Sequence, residues 1–196
     1  MRFLGFILWF AAAAAFAQSP DAIIRSITQE AIAAVKSDPE LAAGDRKKQL
    51  AFAEQKILPY FDFQEATRIA VGRAWWRASK EQQQKLVAEF RGLLIRATNM
   101  IQRYEGQTLE TLPLYMKPTD TEVTVRNQYV RAGRKPVQID FTMHKTEQGW
   151  KIYDIVVEGM SLVLTYRSEF DALVKQQGID GLIKRLSEKN TSAKVS

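Results

Sequence analysis

The hydrophobic period of this chain changes at Gly106, and that change constrains the fold more than any other feature. Before Gly106, apolar residues recur every three or four positions, as in amphipathic helices. A capping box formed by Ser79 and Gln82 opens the longest predicted helix, over residues 80–104. The apolar stripe of that helix comprises Leu86, Phe90, Leu93, Ala97, Ile101 and Tyr104. An N-terminal segment shows the same spacing at Ile23, Ile24, Ile27, Ala31, Ile32 and Val35.

After Gly106 the period becomes two, which is typical of strands with one buried face. Four segments carry this alternation: residues 109–117, 123–129, 137–144 and 150–158. The connections between them are short, and short connections join antiparallel neighbours. Helices must cover the apolar face of such a sheet. We therefore predict a two-layer α+β fold with about four antiparallel strands.

Polar residues and glycines mark the predicted ends of several helices. Asp45 and Asp62 stand where an N-cap is expected, and Glu65 follows Asp62 at the third position. Gly72 ends the short helix that Asp62 opens, and Gly178 separates the helix that starts at residue 161 from a last one over 179–186. A catalytic carboxylate is the alternative role for Asp62.

Residues 1–17 have the composition of a secretory signal. Arg2 is followed by an uncharged apolar run, and Ala15 and Ala17 frame a small-x-small cleavage pattern. We predict cleavage after Ala17; the alternative is an N-terminal membrane anchor that stays attached. A single domain is predicted over residues 18–186, followed by a polar tail over 187–196. The chain contains no cysteine, which excludes disulfides and thiolate metal sites.

The charge of the chain is basic but well mixed, with a formal net charge of +6. No concentrated basic stripe is present, so we do not expect nucleic acid as a partner. The excess of cations favours anionic membrane surfaces or acidic protein patches, unless it serves solubility alone.

Motifs of the familiar enzyme classes are absent from the sequence. The single histidine, His144, is predicted to be an ordinary surface residue near a turn. Asp154 and Glu158 share one strand face roughly 13 Å apart, which is too far for a catalytic carboxylate pair. We interpret both as solvent-facing or salt-bridging. Asp154 with Tyr153 or Tyr166 is the one enzymatic alternative, of an isomerase or dehydratase type; otherwise we expect no enzyme, metal or cofactor.

Two blocks of the sequence resemble one known family. Residues 57–63 and 70–75 read ILPYFDF and AVGRAW, and residues 150–163 read WKIYDIVVEGMSLV, followed by YRS at 166–168. In these blocks the chain resembles the toluene-tolerance, or MlaC, group of periplasmic phospholipid carriers. The resemblance implies a twisted antiparallel sheet packed by helices around a deep apolar pocket for acyl tails.

The resemblance also implies a function. Such proteins shuttle phospholipid through the periplasm between an outer-membrane lipoprotein–porin complex and an inner-membrane ABC transporter complex, and so maintain outer-membrane lipid asymmetry. The expected partners are phospholipid, as cargo, and these two complexes, with the carrier acting as a monomer. A carrier of another apolar ligand, such as a fatty acid or a sterol-like molecule, is the alternative.

We predict that the pocket lies between the apolar sheet face and the helices around residues 86–104 and 162–174. Close packing in a core explains the same apolar pattern, so each candidate has a structural alternative. Arg73, Arg77, Arg103 and Arg167 are candidates for contact with a phosphate or an acidic docking patch, or are solvated surface residues. The candidate lining residues are Leu93, Ala97, Ile101, Tyr104, Phe141, Met143, Ile155, Val157, Met160, Val163, Tyr166 and Phe170.

Overall fold

The structure, a computed structural model, describes residues 18–97 and 104–195. The predicted signal segment with its cleavage after Ala17, and the candidates Ile101 and Arg103, lie outside these ranges. Within the described residues, two 3₁₀ turns, Leu58–Tyr60 and Gly72–Arg77, lie before and after the helix Phe63–Val71, and the sheet is preceded by five α-helices. These helices are α1 (Pro20–Ser37), α2 (Pro39–Ala43), α3 (Arg46–Lys56), α4 (Phe63–Val71) and α5 (Lys80–Ala97).

The helix starts follow the capping signals in the sequence. The side chain of Asp45 accepts a backbone N–H in the first turn of α3. Asp62 Oδ1 accepts the backbone N–H of Glu65 at 2.9 Å, which confirms its role as the N-cap of α4. At the start of α5, Gln82 N donates to Ser79 Oγ at 3.1 Å and Ser79 N donates to Gln82 Oε1 at 3.0 Å. The predicted capping box is therefore confirmed.

The helical half forms its own hydrophobic core. Helices α4 and α5 pack against α6 (Leu162–Thr165) and α7 (Arg167–Val195), which follow the sheet. Phe90 is fully buried at its centre, with its ring edge-on to Tyr166 at 5.4 Å and to Phe170 at 5.2 Å. Leu182 and Leu186 from the second part of α7 complete this helical core.

Gly178 interrupts α7 with φ 71°, a backbone conformation that glycine adopts without steric cost. The chain then resumes a helix, as the sequence predicts. The helix continues through Val195, so the segment predicted as a polar tail from residue 187 is helical in the structure. Asn190 Nδ2 donates to the backbone carbonyl of Glu89 at 2.9 Å, which ties the end of α7 to α5.

The sheet is antiparallel throughout and has the order β1-β3-β4-β5-β6, with β2 also paired to β4. The described strands number six, against about four expected. They are β1 (Thr108–Thr111), β2 (Glu122–Val125), β3 (Asn127–Val130), β4 (Val137–Thr146), β5 (Gly149–Val157) and β6 (Met160–Ser161).

One buried carboxylate accounts for the division of the predicted strand 123–129 into β2 and β3. Asp140, on β4, is only 6% exposed, and its Oδ1 accepts the backbone N–H of Asn127 at 3.3 Å. The Asn127 side chain in turn donates to the carbonyl of Val125 at 2.8 Å. Side-chain bonds thus replace ladder bonds at this point, and the pairing with β4 is interrupted.

The architecture is therefore α+β, with an open antiparallel sheet and helices packed around it, as predicted. Helix α1 lies over β1 and β2, whereas α4 and α6 contact β5. Phe61 forms a parallel bridge with Ile152, which fixes the start of α4 beside β5. No helix in the described part of the chain is long and apolar enough to cross a membrane.

Candidate binding site beneath the first helix

A cavity of about 440 Å³ lies between α1 and the sheet. Its volume falls within the range of roughly 300–1,000 Å³ that is typical of small-molecule sites. The described lining from the helical half comprises Ile24, Ile27, Thr28, Ala31, Ile32, Val35, Ile57 and Phe61. The remaining lining comprises Tyr104, Gln107, Thr108, Leu109, Tyr129, Ile139, Phe141, Ile152, Ile155, Val157 and Leu162.

The sequence of α1 explains why a cavity, and not a packed core, lies beneath this helix. Its apolar residues recur at helical spacing and face the sheet. In the middle of that face stand two short side chains, Thr28 and Ala31, which leave volume unfilled. Thr28 Oγ1 donates to the carbonyl of Ile24 at 2.9 Å, so its hydroxyl is satisfied within the helix.

A bulge in β5 extends the apolar face of the sheet along the cavity. Ile155 is paired with Phe141 and Ile152 with Met143, so Tyr153 is one residue in excess on β5. Because of this extra residue, Ile152 and Ile155 lie on the same face although they are three positions apart. The face of residues 150–158 is ambiguous in the sequence for this reason, since strict alternation fails within the strand.

The cavity has a closed floor and an open mouth. Near its floor, Ile24, Met143 and Ile152 are at most 3% exposed and belong to a packed cluster with Val125 and Trp150. At the opposite end, Val157 is 38% exposed. Three polar side chains also line this end of the cavity: Tyr104, Gln107 and Thr108. Thr108 pairs with Val130 at the end of β3, and the end of β3 is close to the start of β4. The depth of the cavity is therefore apolar and its entrance is more polar.

The length of the cavity follows from the residues of α1 that line it. From Ile24 to Val35 the helix rises roughly 16 Å, at about 1.5 Å per residue. Half the hydrocarbon core of a bilayer, which is the depth of one leaflet, is about 15 Å. The segment of α1 that lines the cavity is therefore about as long as the acyl region of one membrane lipid.

Asp154 positions the segment that borders the cavity at Leu162. Its carboxylate is 9% exposed, and it accepts hydrogen bonds from Ser161 Oγ at 2.5 Å and from the backbone N–H of Val163 at 3.1 Å. The interpretation of Asp154 as solvent-facing or salt-bridging is wrong, because the bulge at Tyr153 turns it toward the start of α6. Its negative charge satisfies N–H groups there that have no partner within the helix.

His144, which lies outside the described lining of the cavity, is engaged in structural contacts. His144 Nε2 lies 3.1 Å from Asp62 Oδ2, and the imidazole packs edge-on against Tyr153 at 5.4 Å. His144 is therefore not an ordinary surface residue, since it connects the sheet to the N-cap of α4. Burial, followed by the nearby Glu122, raises the pKa of Tyr153. Burial also raises the pKa of Tyr166, so both phenols stay protonated at neutral pH.

The arrangement has the space and the apolar lining to accommodate an apolar molecule, and it offers little for acid–base chemistry. Tyr153 is the bulged residue of β5 and contacts His144, whereas Tyr166 packs in the helical core. Among the described residues, no group of three or more histidine and carboxylate side chains is placed to hold a metal ion.

The structure places four of the predicted lining residues around the cavity: Tyr104, Phe141, Ile155 and Val157. Met143 is fully buried in the cluster at the floor, and Met160 is the register partner of Val157 at the mouth, where it is 68% exposed. Val163 lines a much smaller apolar space of about 30 Å³, which shares Phe61, Ile155 and Leu162 with the main cavity.

The structure places three other candidates outside the described lining of the main cavity: Leu93, Tyr166 and Phe170 belong to the helical core. Ala97 is the last described residue of α5, and its side chain is outside the described part of the structure. In the described part of the chain, α1 supplies most of the helical cover of the cavity, and Tyr104 and Leu162 are the described contributions from the expected ranges 86–104 and 162–174. The described apolar stripes of α5 and α7 pack mainly against each other. Of the candidate arginines, Arg167 donates to the carbonyl of Ile69 at 3.3 Å.

Sequence reasoning missed most of the residues that line the cavity. The sequence predicts the stripe of α1 as helical, but a stripe that covers a cavity has the same spacing as one that covers a core. For Ile139 and Ile152 the sequence predicts a place in strands but no role at the site. The one available signal in α1 is its pair of short side chains, Thr28 and Ala31, within an otherwise isoleucine-rich face.

Comparison with known proteins agrees with this geometry. The model of the MlaC protein family matches residues 25–188. The chain is 20% identical over 174 residues to the intermembrane phospholipid transport system binding protein MlaC of Haemophilus influenzae, covering 87% of this chain and 81% of the relative. A phospholipid-binding protein from Ralstonia solanacearum, solved in complex with a phospholipid, matches with a TM-score of 0.79 and 35% identity, over 88% of this chain and 97% of its own. The chain belongs to the MlaC family.

Proposed function

We propose that this protein is a phospholipid carrier that holds acyl chains in the cavity beneath α1 and leaves the head group at the mouth. The observation that carries the proposal is the combination of an apolar lining with a length that matches one leaflet. The Ralstonia solanacearum protein, which has a similar fold, was solved with a phospholipid bound. In this chain the acyl chains of a phospholipid would contact the closed apolar floor, and its head group would lie at the polar entrance.

The energetics explain why such a carrier needs a cavity and no catalytic residue. Each methylene that leaves an apolar environment for water costs about 0.8 kcal/mol, so two acyl chains do not cross an aqueous space unassisted at a useful rate. A cavity replaces the membrane interior with protein, and exchange between the two is then nearly balanced. We further propose that exchange takes place in the periplasm, between an outer-membrane complex and an inner-membrane ABC transporter, whose ATP hydrolysis supplies direction.

A carrier of another apolar ligand, such as a fatty acid, is the second candidate, since the lining is not specific for the number of chains. Native mass spectrometry separates the two. The full chain is expressed with its N-terminal segment, recovered from the periplasm without detergent, and weighed. A bound mass of phospholipid size that fragments into two acyl chains supports the proposal. A bound fatty acid supports the alternative, and a bare protein that stays bare after incubation with phospholipid vesicles contradicts both.

A further inference from the structure

Two turns of the sheet end at the mouth of the cavity. Val137 pairs with Tyr129 across the β3–β4 turn, and Ile139 pairs with Val157 at the end of β5. The β3–β4 turn over residues 131–136 and the β5–β6 turn therefore project from the same edge. Glu158 N donates to the carbonyl of Gln138 at 3.0 Å, which holds these two turns side by side.

Exposed apolar side chains stand on one side of this mouth. The β5–β6 turn consists of Glu158 and Gly159, both with positive φ, and it presents Met160 directly opposite Val157. Met160 is 68% exposed and Leu164, four residues further in α6, is 50% exposed. Between them lies Leu162, which lines the cavity, so the exposed apolar surface is continuous with the interior.

Basic side chains stand on the other side. The β3–β4 turn carries Arg131, Arg134 and Lys135 within five residues. Arg131 is bonded to Glu105, whereas Arg134 and Lys135 form no ion pair within the described part of the chain. The other carboxylate here, Glu158, is turned onto the backbone N–H of Gln138 at 2.5 Å. Two cations at the entrance are thus available to an external anion.

We propose that Met160, Leu164, Arg134 and Lys135, which we call the rim, form a contact surface for an anionic phospholipid bilayer. Cationic side chains attract such a surface, and protruding apolar side chains enter its interfacial region. A protein partner of ordinary affinity buries about 800 Å² on each side around a broad apolar centre. The rim has instead only two exposed large apolar side chains, on a tight turn and a one-turn helix, which fits shallow insertion into lipid better. This inference rests on the proposed function, because contact there lets acyl chains enter the cavity without crossing water.

Vesicle binding and a fluorescent probe test the rim together. The chain has no cysteine, so Met160→Cys gives a single site for an environment-sensitive label. Tyr115→Cys is the matched control, since Tyr115 is 93% exposed between Leu114 and Met116, which pack at the floor end. With vesicles of phosphatidylglycerol and phosphatidylcholine at low salt, we expect a blue shift of the label at position 160 and none at 115. Equal responses at the two positions overturn the proposal.

The charge contribution is measured by vesicle flotation. The double variant Arg134→Gln with Lys135→Gln is expected to bind anionic vesicles about tenfold more weakly than the unmodified protein. The reason is that each cation near an anionic surface contributes to the binding free energy. The double variant Lys47→Gln with Lys184→Gln, which removes the same charge from exposed positions elsewhere, is expected to retain binding. Equal losses of vesicle binding in the two double variants overturn the proposal that the rim contacts a bilayer. Absence of vesicle binding by the unmodified protein overturns it too, and is the result expected if the rim serves only a protein partner. Native mass spectrometry of the same samples reports cargo separately, so a carrier that holds lipid but ignores vesicles refutes only this inference.

Discussion

The substitution Ala31→Trp tests whether the space beneath α1 holds the ligand. Ala31 is one of the two short side chains in the middle of the helix face that lines the cavity. Ala33 lies on the same helix and is exposed to solvent, so Ala33→Trp is the matched control. Both variants place the same indole in α1, but only the first directs it into the cavity.

The expected loss follows from the volume that the indole occupies. If it displaces about four methylene groups of an acyl chain, at about 0.8 kcal/mol each, binding weakens by roughly 3 kcal/mol. A change of 1.4 kcal/mol corresponds to a factor of ten, so the affinity falls by about a hundredfold or more. The fold is expected to persist, because the indole enters existing space and displaces no packed side chain.

The assay is competition for a fluorescent phospholipid, with circular dichroism and urea unfolding to verify the fold. We expect Ala31→Trp to lose binding while its unfolding midpoint stays close to that of the unmodified protein, and Ala33→Trp to bind normally. Normal binding by Ala31→Trp in a folded protein refutes the placement of the ligand beneath α1. Lost binding in both variants points to a general effect of tryptophan on α1 and refutes it equally.

Substitutions at three further positions test the framework of the fold. Asp154→Ala leaves the Ser161 hydroxyl and the Val163 N–H without their acceptor, so urea unfolding is expected to show a loss of about 3 kcal/mol, and Asp154→Asn a smaller one. Gly72→Ala adds a Cβ at φ +64°, about 3.1 Å from the Arg167 guanidinium, so the free energy of unfolding is expected to fall by about 1–3 kcal/mol. An unchanged unfolding midpoint contradicts the expected backbone strain at this position. The hydrogen bond from Lys48 holds the pKa of Asp38 below its usual range, so Asp38 stabilises the fold above its unfolded pKa and this contribution is lost as the pH falls through the lowered value. Asp38→Asn is therefore expected to reduce the difference between unfolding midpoints at pH 7 and pH 3, and an unchanged difference contradicts this.

The sequence was sufficient to predict the class of the fold and many local features. The change of period at Gly106, the capping box at Ser79 and the N-cap at Asp62 each depend on residues close together in the chain, and the structure contains all of them. Gly178 interrupts its helix as predicted. Local hydrogen bonds and turn chemistry therefore determine these features without reference to the tertiary structure.

The location of the cavity was not predictable in the same way. Which helix covers the sheet depends on which apolar stripes pack against each other, and the mutual burial of Phe90 and Phe170 directs the described stripes of α5 and α7 toward one another. The bulge at Tyr153 arises from the pairing of β4 with β5, so the shared face of Ile152 and Ile155 is a tertiary property. Asp140 acts at a distance too, because its bond to Asn127 divides a strand that alternation alone predicts to be continuous.

Photo-crosslinking with a phospholipid that carries a diazirine near the end of one acyl chain tests the central claim most directly. The loaded protein is irradiated, digested and analysed by mass spectrometry. The account predicts crosslinks at the floor of the cavity, to Ile24 on α1 and to Ile152 on β5. Crosslinks confined to α5 and α7, or spread evenly over exposed residues, would contradict the binding of acyl chains beneath α1.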